Sequence, residues 1–247
     1  SQDIEETPVK GKDERKTQRR KLKKVLRKVK DDFSVRAEKY EKYQETFQGR
    51  NSFSKTDPDA TFMRMKEDHM KNGQLKAAYN LQIATENQFV LHYDIFSNPT
   101  DTKTLLPFLE TYPHELKTVV ADAGYGSEEN LLRLDEKGVN HLIKYAMFDK
   151  EQKRGYKQSA RNLGNWHYDD KEDSYTHPDS WCYRFHHIKH QKTQTDFQQE
   201  IKVYYADEPE SAPQKGLYMN ERYQNLKAKE CQALLSPEGK QIFAQRK

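Results

Sequence analysis

The stretch VVADAGYG at residues 119–126 decides how the fold is interpreted. A short apolar run ends in the carboxylate of Asp122, and Gly124 and Gly126 then let the backbone turn sharply. Ser127 follows as a candidate N-cap, and a helix with inward-facing leucines is expected to run to Gly138. The pattern predicts a buried strand that delivers one carboxylate at its carboxyl end, directly before a helix.

The segments around this unit alternate between strand and helix patterns. Apolar residues alternate at 78–85 and at 89–96, which predicts a hairpin with a buried apolar face and Asp94 on its solvent face. Asp101 is the candidate cap of the next helix, and 139–145 is a further strand. The order strand, strand, helix, strand, helix, strand is typical of an α/β fold with an antiparallel hairpin beside parallel strands.

Composition limits the class of protein. Charged residues make up 33% of the 247-residue chain, hydrophobic residues only 34%, and the mean hydropathy is −1.18. An aromatic fraction of 11% is too high for a wholly disordered chain, so a thin core is expected. The sequence contains no apolar run of membrane-spanning length, no apolar leader and only two cysteines. These features favour a soluble protein of a reducing compartment without a disulfide framework.

Positive charge is concentrated near the N-terminus. Between positions 10 and 30, twelve Lys and Arg stand against two acids, although the whole chain carries only +4. Apolar residues recur there at helical spacing, which predicts a basic amphipathic helix over 13–47 with a break near 31–34. The first few residues are expected to be disordered.

Two interpretations of this helix stay open. It packs its apolar stripe on a protein body, or it lies along nucleic-acid phosphates. The candidate phosphate-binding residues are Arg19, Arg20, Lys23, Lys24 and Arg27.

Residues 150–216 differ from the rest by being polar and rich in His, Tyr and Trp, and we interpret them as a β-rich insertion with a strand at 197–205. The metal-ligand types in or near it are His167, His177, Cys182, His186, His187 and His190. Zinc is one interpretation, but paired short Cys and His spacings are missing, and a polar DNA-facing or surface region is favoured. Candidate contacts there are Arg161, Trp166, Trp181, Tyr183 and Arg184, although the two tryptophans are more typical of ordinary core aromatics.

Other acids are weaker candidates for a site. Asp57 and Asp59 in TDPDA either form a turn and cap a helix at 60–67, or lie near the active site. Glu128 and Glu129 are expected to favour the first turn of the helix that follows Ser127 rather than to bind a metal. Neither a phosphate-binding loop nor a dinucleotide fingerprint occurs in the sequence.

Four motifs together resemble the bacterial insertion-sequence transposases of the DDE type. They are ADAGYGSEEN (121–130), SKTDPDATFMRMKED (54–68), AAYNLQIAT (77–85) and SPEGKQIFAQRK (236–247). The resemblance covers about residues 20–247 and implies an RNase H-like fold, in which a mixed sheet is flanked by helices. It also implies Mg²⁺ or Mn²⁺, with Asp122 as a catalytic metal ligand and the second of three acids.

The same resemblance implies the partners and the reaction. Double-stranded DNA at transposon terminal repeats is cleaved and joined by strand transfer, by a homo-oligomer in the bacterial cytoplasm at the nucleoid, without a membrane.

The departures from the family pattern are as informative as the match. The strand that carries the first acid has no counterpart before the basic helix, and the third acid is expected after Lys247. We therefore expect an incomplete fold and a transposase fragment that is inactive alone, and the alternative is a non-catalytic DNA-binding remnant of a decayed transposase. The expected organisation is a basic helical segment at 1–50, a core part at 51–149, the insertion at 150–216 and C-terminal helices at 217–247.

Overall fold

A computed structural model describes residues 14–65 and 70–245. The α-helices of these residues are α1 (Glu14–Lys28), α2 (Val35–Phe47), α3 (Leu105–Thr111), α4 (Glu128–Glu136), α5 (Phe148–Glu151), α6 (Arg154–Lys157), α7 (Glu221–Leu235) and α8 (Pro237–Gln245). The strands are β1 (Thr61–Arg64), β2 (Leu75–Ala78), β3 (Asn80–Glu86), β4 (Phe89–Phe96), β5 (Thr118–Ala121), β6 (Asn140–Ile143), β7 (His167–Asp169), β8 (Ser174–Thr176), β9 (Cys182–Lys192), β10 (Gln198–Ala206) and β11 (Gly216–Met219).

The chain forms two compact units that divide between Tyr79 and Asn80. The first unit contains α1, α2, β1 and β2, and the second contains all later elements. The expected disorder at the start of the chain lies outside the described residues, and the four-part organisation expected from composition stays a prediction. No helix of residues 14–65 and 70–245 has the length and apolar character needed to cross a bilayer.

The basic helix of the first unit forms as expected. A π-helical segment, Val29–Ser34, joins α1 to α2 at the position of the expected break. The Ser34 hydroxyl donates to the carbonyl of Val29, five residues earlier, with 3.0 Å between oxygens. The apolar stripe is largely exposed, since 52% of Leu22 and 48% of Phe33 face solvent. Within the first unit the stripe is therefore largely uncovered.

The helix expected at 60–67 is wrong. Thr61–Arg64 is strand β1, which pairs antiparallel with β2 so that Thr61 stands opposite Ala78. Burial alternates along it, with Thr61 and Met63 inside and Phe62 and Arg64 outside. A burial period of two outweighs the weak capping signal of Asp59, because a helix would expose one of the two inward residues.

The second unit confirms the expected α/β class. β3 and β4 form an antiparallel hairpin, and β5 and β6 form a parallel pair joined through α4. The two pairs are separate two-stranded sheets. Helix α4 buries Leu131 and Leu134 completely beside Ile143, and Leu226 of α7 packs on the same cluster. This core fixes the carboxyl end of β5, where Asp122 stands.

The orientation expected for the hairpin β3–β4 is wrong. Its apolar face is exposed, with 52% of Ile83 and 65% of Tyr93 open to solvent, whereas Gln82 is buried and Asp94 is half-buried. The polar face is turned inward because it has specific partners there. His92 packs its ring on Phe108 of α3, with 5.0 Å between centroids.

The expected β-rich insertion is confirmed as a five-stranded antiparallel sheet in the order β11-β10-β9-β8-β7. Its core is aromatic, with Tyr183 and Tyr204 fully buried. A DNA contact through Tyr183 is therefore wrong, because its hydroxyl donates instead to the carbonyl of Gln214 at 3.0 Å. Trp166 packs on Tyr183 at a centroid distance of 5.1 Å and belongs to the same core.

Candidate active site

Asp122 is the first residue after strand β5 and begins a tight turn. Its Oδ1 accepts a hydrogen bond from the backbone N–H of Gly124 at 3.1 Å, which closes the turn Ala123–Tyr125. Ser127 then caps α4 by accepting from the N–H of Asn130 at 3.2 Å, as the sequence predicts. The carboxylate is exposed at the carboxyl end of a parallel strand.

Gly126 is required by the packing of this turn. A β-carbon at that position would lie 2.2 Å from the carbonyl oxygen of Lys144 and 2.8 Å from the α-carbon of Tyr145. Both contacts are to backbone that directly follows β6, so neither atom can swing away. The glycine therefore lets the Asp122 turn approach the end of the neighbouring strand.

A second carboxylate, that of Asp101, stands beside the first. Asp101 begins the turn Asp101–Lys103, and Thr100 precedes it as the N-cap residue, so the expected capping role of Asp101 is wrong. Its backbone carbonyl accepts from both the N–H and the hydroxyl of Thr104, at 3.0 and 2.9 Å. The side chain is thereby left to turn toward hairpin β3–β4.

Two side-chain amides of β3 hold the Asp101 carboxylate. Its Oδ1 accepts from Nδ2 of Asn80 at 2.8 Å and from Nε2 of Gln82 at 3.1 Å. The same Nε2 donates to Oδ1 of Asn80 at 2.8 Å, and Oε1 of Gln82 accepts from the hydroxyl of Tyr125. A continuous polar network therefore runs from the turn of Asp122 through the buried Gln82 to Asp101.

The two turns are also joined directly. The hydroxyl of Thr102 donates to the carbonyl of Gly124 at 2.9 Å. The buried Asn130 amide donates to the carbonyls of Thr102 and Tyr125, both at 2.9 Å. Three hydrogen bonds thus fix the distance between the turns, since each satisfies a main-chain group that would otherwise lack a partner.

Both carboxylates approach Gly124, and the space left by its missing side chain is called the gap at Gly124 below. A β-carbon on this residue would stand 3.0 Å from Oδ2 of Asp101 and 3.2 Å from Oδ1 of Asp122. Carboxylate oxygens are the hard donors that Mg²⁺ and Mn²⁺ prefer, so these residues fit the divalent cation that the family resemblance implies. Over residues 14–65 and 70–245, no three His, Cys, Asp or Glu side chains converge in a way that suits a metal ion.

Asp57 and Asp59 belong to the first unit, whereas Asp122 belongs to the second. The carboxylate of Asp57 accepts from the hydroxyl of Tyr79 at 2.9 Å, and this hydrogen bond raises the pKa of Tyr79. The backbone carbonyl of Asp59 accepts from Arg50 at 2.6 Å. Both acids therefore stabilise the loop before β1, and a role near the active site stays a prediction.

The candidate phosphate-binding residues lie on α1. Arg20, Lys23, Lys24 and Arg27 are exposed, and Arg19 is half-buried. The four exposed residues follow the spacing i, i+3, i+4, i+7, which places them on the helix face opposite the apolar stripe. The geometry presents a row of cations without intervening carboxylates, and its role in DNA binding stays a prediction.

The histidines of the insertion are spread over its sheet. His177 is buried and packs its ring on Trp166 at 4.8 Å, and the Nδ1 atoms of His186 and His187 lie 2.8 Å apart. His190 faces Glu200 across β9 and β10, with 3.6 Å between Nδ1 and Oε1. Each contact joins local neighbours in the sheet.

Sequence reasoning missed the role of Asp101, although a signal was present. Asn80 and Gln82 are separated by two positions in an alternating strand, so both amides lie on one face. Two amides on a face that packs inward need polar partners, and the acid directly after the hairpin is one.

One of three comparisons with known proteins found a match. Residues 50–224 match the family described as the transposase DDE domain. A comparison with curated proteins and one with solved structures gave no match. The matched segment is most of the chain and contains both turns of the site, and the protein therefore belongs to the transposase DDE domain family.

Proposed function

We propose that this protein acts in the transposition of an insertion sequence, by metal-dependent DNA cleavage and strand transfer, with Asp122 as a metal ligand. The observation that supports this most is the position of Asp122, exposed at the carboxyl end of β5 beside the gap at Gly124. Family membership supports the reaction class.

The residues around Asp122 have separable roles in this proposal. Asp122 holds Mg²⁺ or Mn²⁺, which when bound activates the attacking oxygen and stabilises the leaving oxygen of a phosphodiester. Gly124 has no β-carbon to crowd the oxygens of Asp101 and Asp122, and Gly126 sets the turn against the end of β6. Ser127 and Asn130 fix the turn to α4, so that the carboxylate keeps its direction.

The proposed partner is double-stranded DNA at the terminal repeats of the element, bound by a homo-oligomer at the nucleoid in the bacterial cytoplasm. The exposed cations of α1 supply phosphate contacts in this proposal, because a row of Lys and Arg neutralises a phosphate backbone without reading its sequence.

We further propose that these 247 residues bind DNA. Membership of the transposase DDE domain family supports this. Binding and cleavage are measured separately, because Asp122 is proposed to act in cleavage and the cations of α1 in binding.

The test compares the unaltered chain with Asp122→Asn, and with Asp170→Asn as a control that removes an exposed acid of the insertion. Amide NMR spectra are recorded during Mg²⁺ titration, and DNA carrying the element ends is tested for binding and nicking. Metal-dependent shifts at 121–125 that vanish in Asp122→Asn support the proposal. Binding without any Asp122-dependent metal response favours the non-catalytic DNA-binding alternative, and Asp122-dependent nicking would show that these residues cleave DNA.

A further inference from the structure

We propose that Asp101 holds the same divalent cation as Asp122, through its Oδ2 oxygen, and that Asn80 and Gln82 position it for this. The inference rests on the proposed function, because it extends the metal site assigned there to a second carboxylate.

The hydrogen bonds of Asp101 divide its two oxygens between different tasks. Oδ1 accepts from both amides of β3, whereas no described residue donates to Oδ2. Oδ2 instead faces the gap at Gly124, within 3.0 Å of the point that a β-carbon would occupy. The network therefore orients the carboxylate and leaves Oδ2 beside Gly124.

The negative charge of Asp101 is not needed by this network. Both donors are neutral amides, which an asparagine at position 101 would satisfy through its own amide oxygen. Among the described residues no Lys, Arg or His forms an ion pair with Asp101. A bound cation would compensate the negative charge of Asp101, which hydrogen bonds from neutral amides do not.

The proximity of the two carboxylates favours the same conclusion. One oxygen of each carboxylate lies near the same point at Gly124, at 3.0 Å for Oδ2 of Asp101 and 3.2 Å for Oδ1 of Asp122. The two turns are held together by Thr102 on Gly124 and by Asn130 on both turns. Two carboxylates fixed beside one glycine supply the oxygen ligands that a divalent cation prefers.

Three variants test the site by different physical means. Asp101→Asn keeps the acceptor for Asn80 and Gln82 and removes the anionic oxygen. Gly124→Ala keeps both acids and fills the gap, at a position whose φ is accessible to alanine. Asp122→Asn removes the first ligand, and Asp170→Asn is again the control.

The readout is Mn²⁺ binding to the full 247-residue chain, measured by loss of the free-ion EPR signal, with Mg²⁺ as competitor. We expect Asp101→Asn and Gly124→Ala each to weaken binding by about tenfold or more, as loss of a metal ligand or of its support does. Asp170→Asn should bind as the unaltered chain does. Amide spectra recorded without metal show whether each variant keeps the fold, and a variant that unfolds is replaced by Asp101→Ser or Gly124→Ser.

The outcomes separate the two proposals. Unchanged affinity in folded Asp101→Asn, together with a loss in Asp122→Asn, overturns the role of Asp101 and leaves the proposed function standing. Binding that depends on neither acid, or no saturable binding to the unaltered chain, overturns both. Both proposals are supported if Asp101→Asn, Gly124→Ala and Asp122→Asn each lose Mn²⁺ affinity while the control Asp170→Asn does not.

Discussion

The buried carboxylate of Glu128 accepts a hydrogen bond from the guanidinium of Arg222, with 2.6 Å between Oε1 and Nε. Its other oxygen accepts from Asn220 and from Gln199, both at 2.6 Å. Glu128 stands in the first turn of α4, whereas its partners come from α7, the residue before it and β10. One carboxylate therefore ties the helix behind the Asp122 turn to the insertion sheet and to the C-terminal helices.

Glu128→Gln should destabilise the protein nearly as much as Glu128→Ala. Both oxygens of Glu128 accept hydrogen bonds. In glutamine one of them is replaced by an NH₂ group, which would face a donor, so the amide cannot replace the carboxylate. We expect a loss of about 2–4 kcal/mol in the free energy of unfolding, because breaking a buried pair leaves its partners unsatisfied. Urea unfolding measures it. Glu136→Gln, at the exposed end of the same helix, is the control. An equal loss of stability in Glu128→Gln and Glu136→Gln would contradict the role of Glu128.

The sequence predicts elements better than it predicts which side of an element is buried. The strand–turn–helix unit around Asp122 follows from local signals, namely an apolar run, two glycines and a Ser cap. The hairpin β3–β4 is also found, but its buried side is the polar one, since Gln82 has partners at distant positions in the chain. Local periodicity cannot show a contact between residues 82 and 125, so the network that holds Asp101 is visible only in the fold.

Gly126→Ala should be strongly unfavourable, whereas Gly155→Ala should not. The new β-carbon at 126 would meet the Lys144 carbonyl at 2.2 Å, while at 155 it meets no atom within 4 Å. We expect the first to cost about 1–3 kcal/mol of unfolding free energy as overpacking. The second should be neutral or raise stability by about 0.5–1 kcal/mol, because alanine suits a helix better than glycine. Thermal unfolding of both variants checks this, and similar midpoints would show that the turn relaxes away from β6.

His141 connects β6 to α7 and α4 through acids on both sides. Its Nδ1 contacts the buried carboxylate of Glu230, and its Nε2 lies 3.2 Å from Oδ1 of Asp135. Burial alone would lower the pKa of His141, but the hydrogen bonds and charges of Glu230 and Asp135 outweigh it and raise the pKa. Glu230 also accepts from the N–H of Ile143 at 2.9 Å, which pins the end of β6.

Stability should therefore fall as the pH rises through neutrality. The folded state holds the His141 proton more tightly than the unfolded chain, whose histidines titrate near about pH 6.5. The contribution is complete below that pH and is lost as the pH rises through the raised pKa. Urea unfolding at about pH 6 and about pH 8.5 should show a stability difference that shrinks in His141→Gln. If His141→Gln shows the same stability difference between the two pH values as the unaltered chain, other groups cause the pH dependence.

At acidic pH, stability is expected to change with pH in the opposite direction. Burial would raise the pKa of Asp135, but its hydrogen bonds to Lys229 and His141 outweigh burial and lower it. Its contribution is present above the unfolded pKa of 3.8 and is lost as the pH falls through the lowered value. Asp135→Asn should flatten the acid limb of the stability profile, and Asp170→Asn, an exposed acid, should leave that limb unchanged. Parallel acid limbs in the unaltered chain and Asp135→Asn would contradict this.

DNA binding should depend on salt through the exposed face of α1. Each phosphate contact contributes about −0.9 to the slope of log K against log salt, so replacing four contacts with Gln should make the slope less steep by about 3–4. The four residues are Arg20, Lys23, Lys24 and Arg27. The control carries the same loss of charge at four exposed positions of the second unit, Lys137, Lys150, Lys153 and Lys215.

Fluorescence anisotropy with a short duplex at several salt concentrations measures both slopes. Only the α1 variant should lose steepness, because the effect comes from cations that lie on phosphates and not from net charge. An equal change in the two sets would mean that net charge alone attracts the DNA. An unchanged slope in the α1 variant would assign the phosphate contacts to another surface.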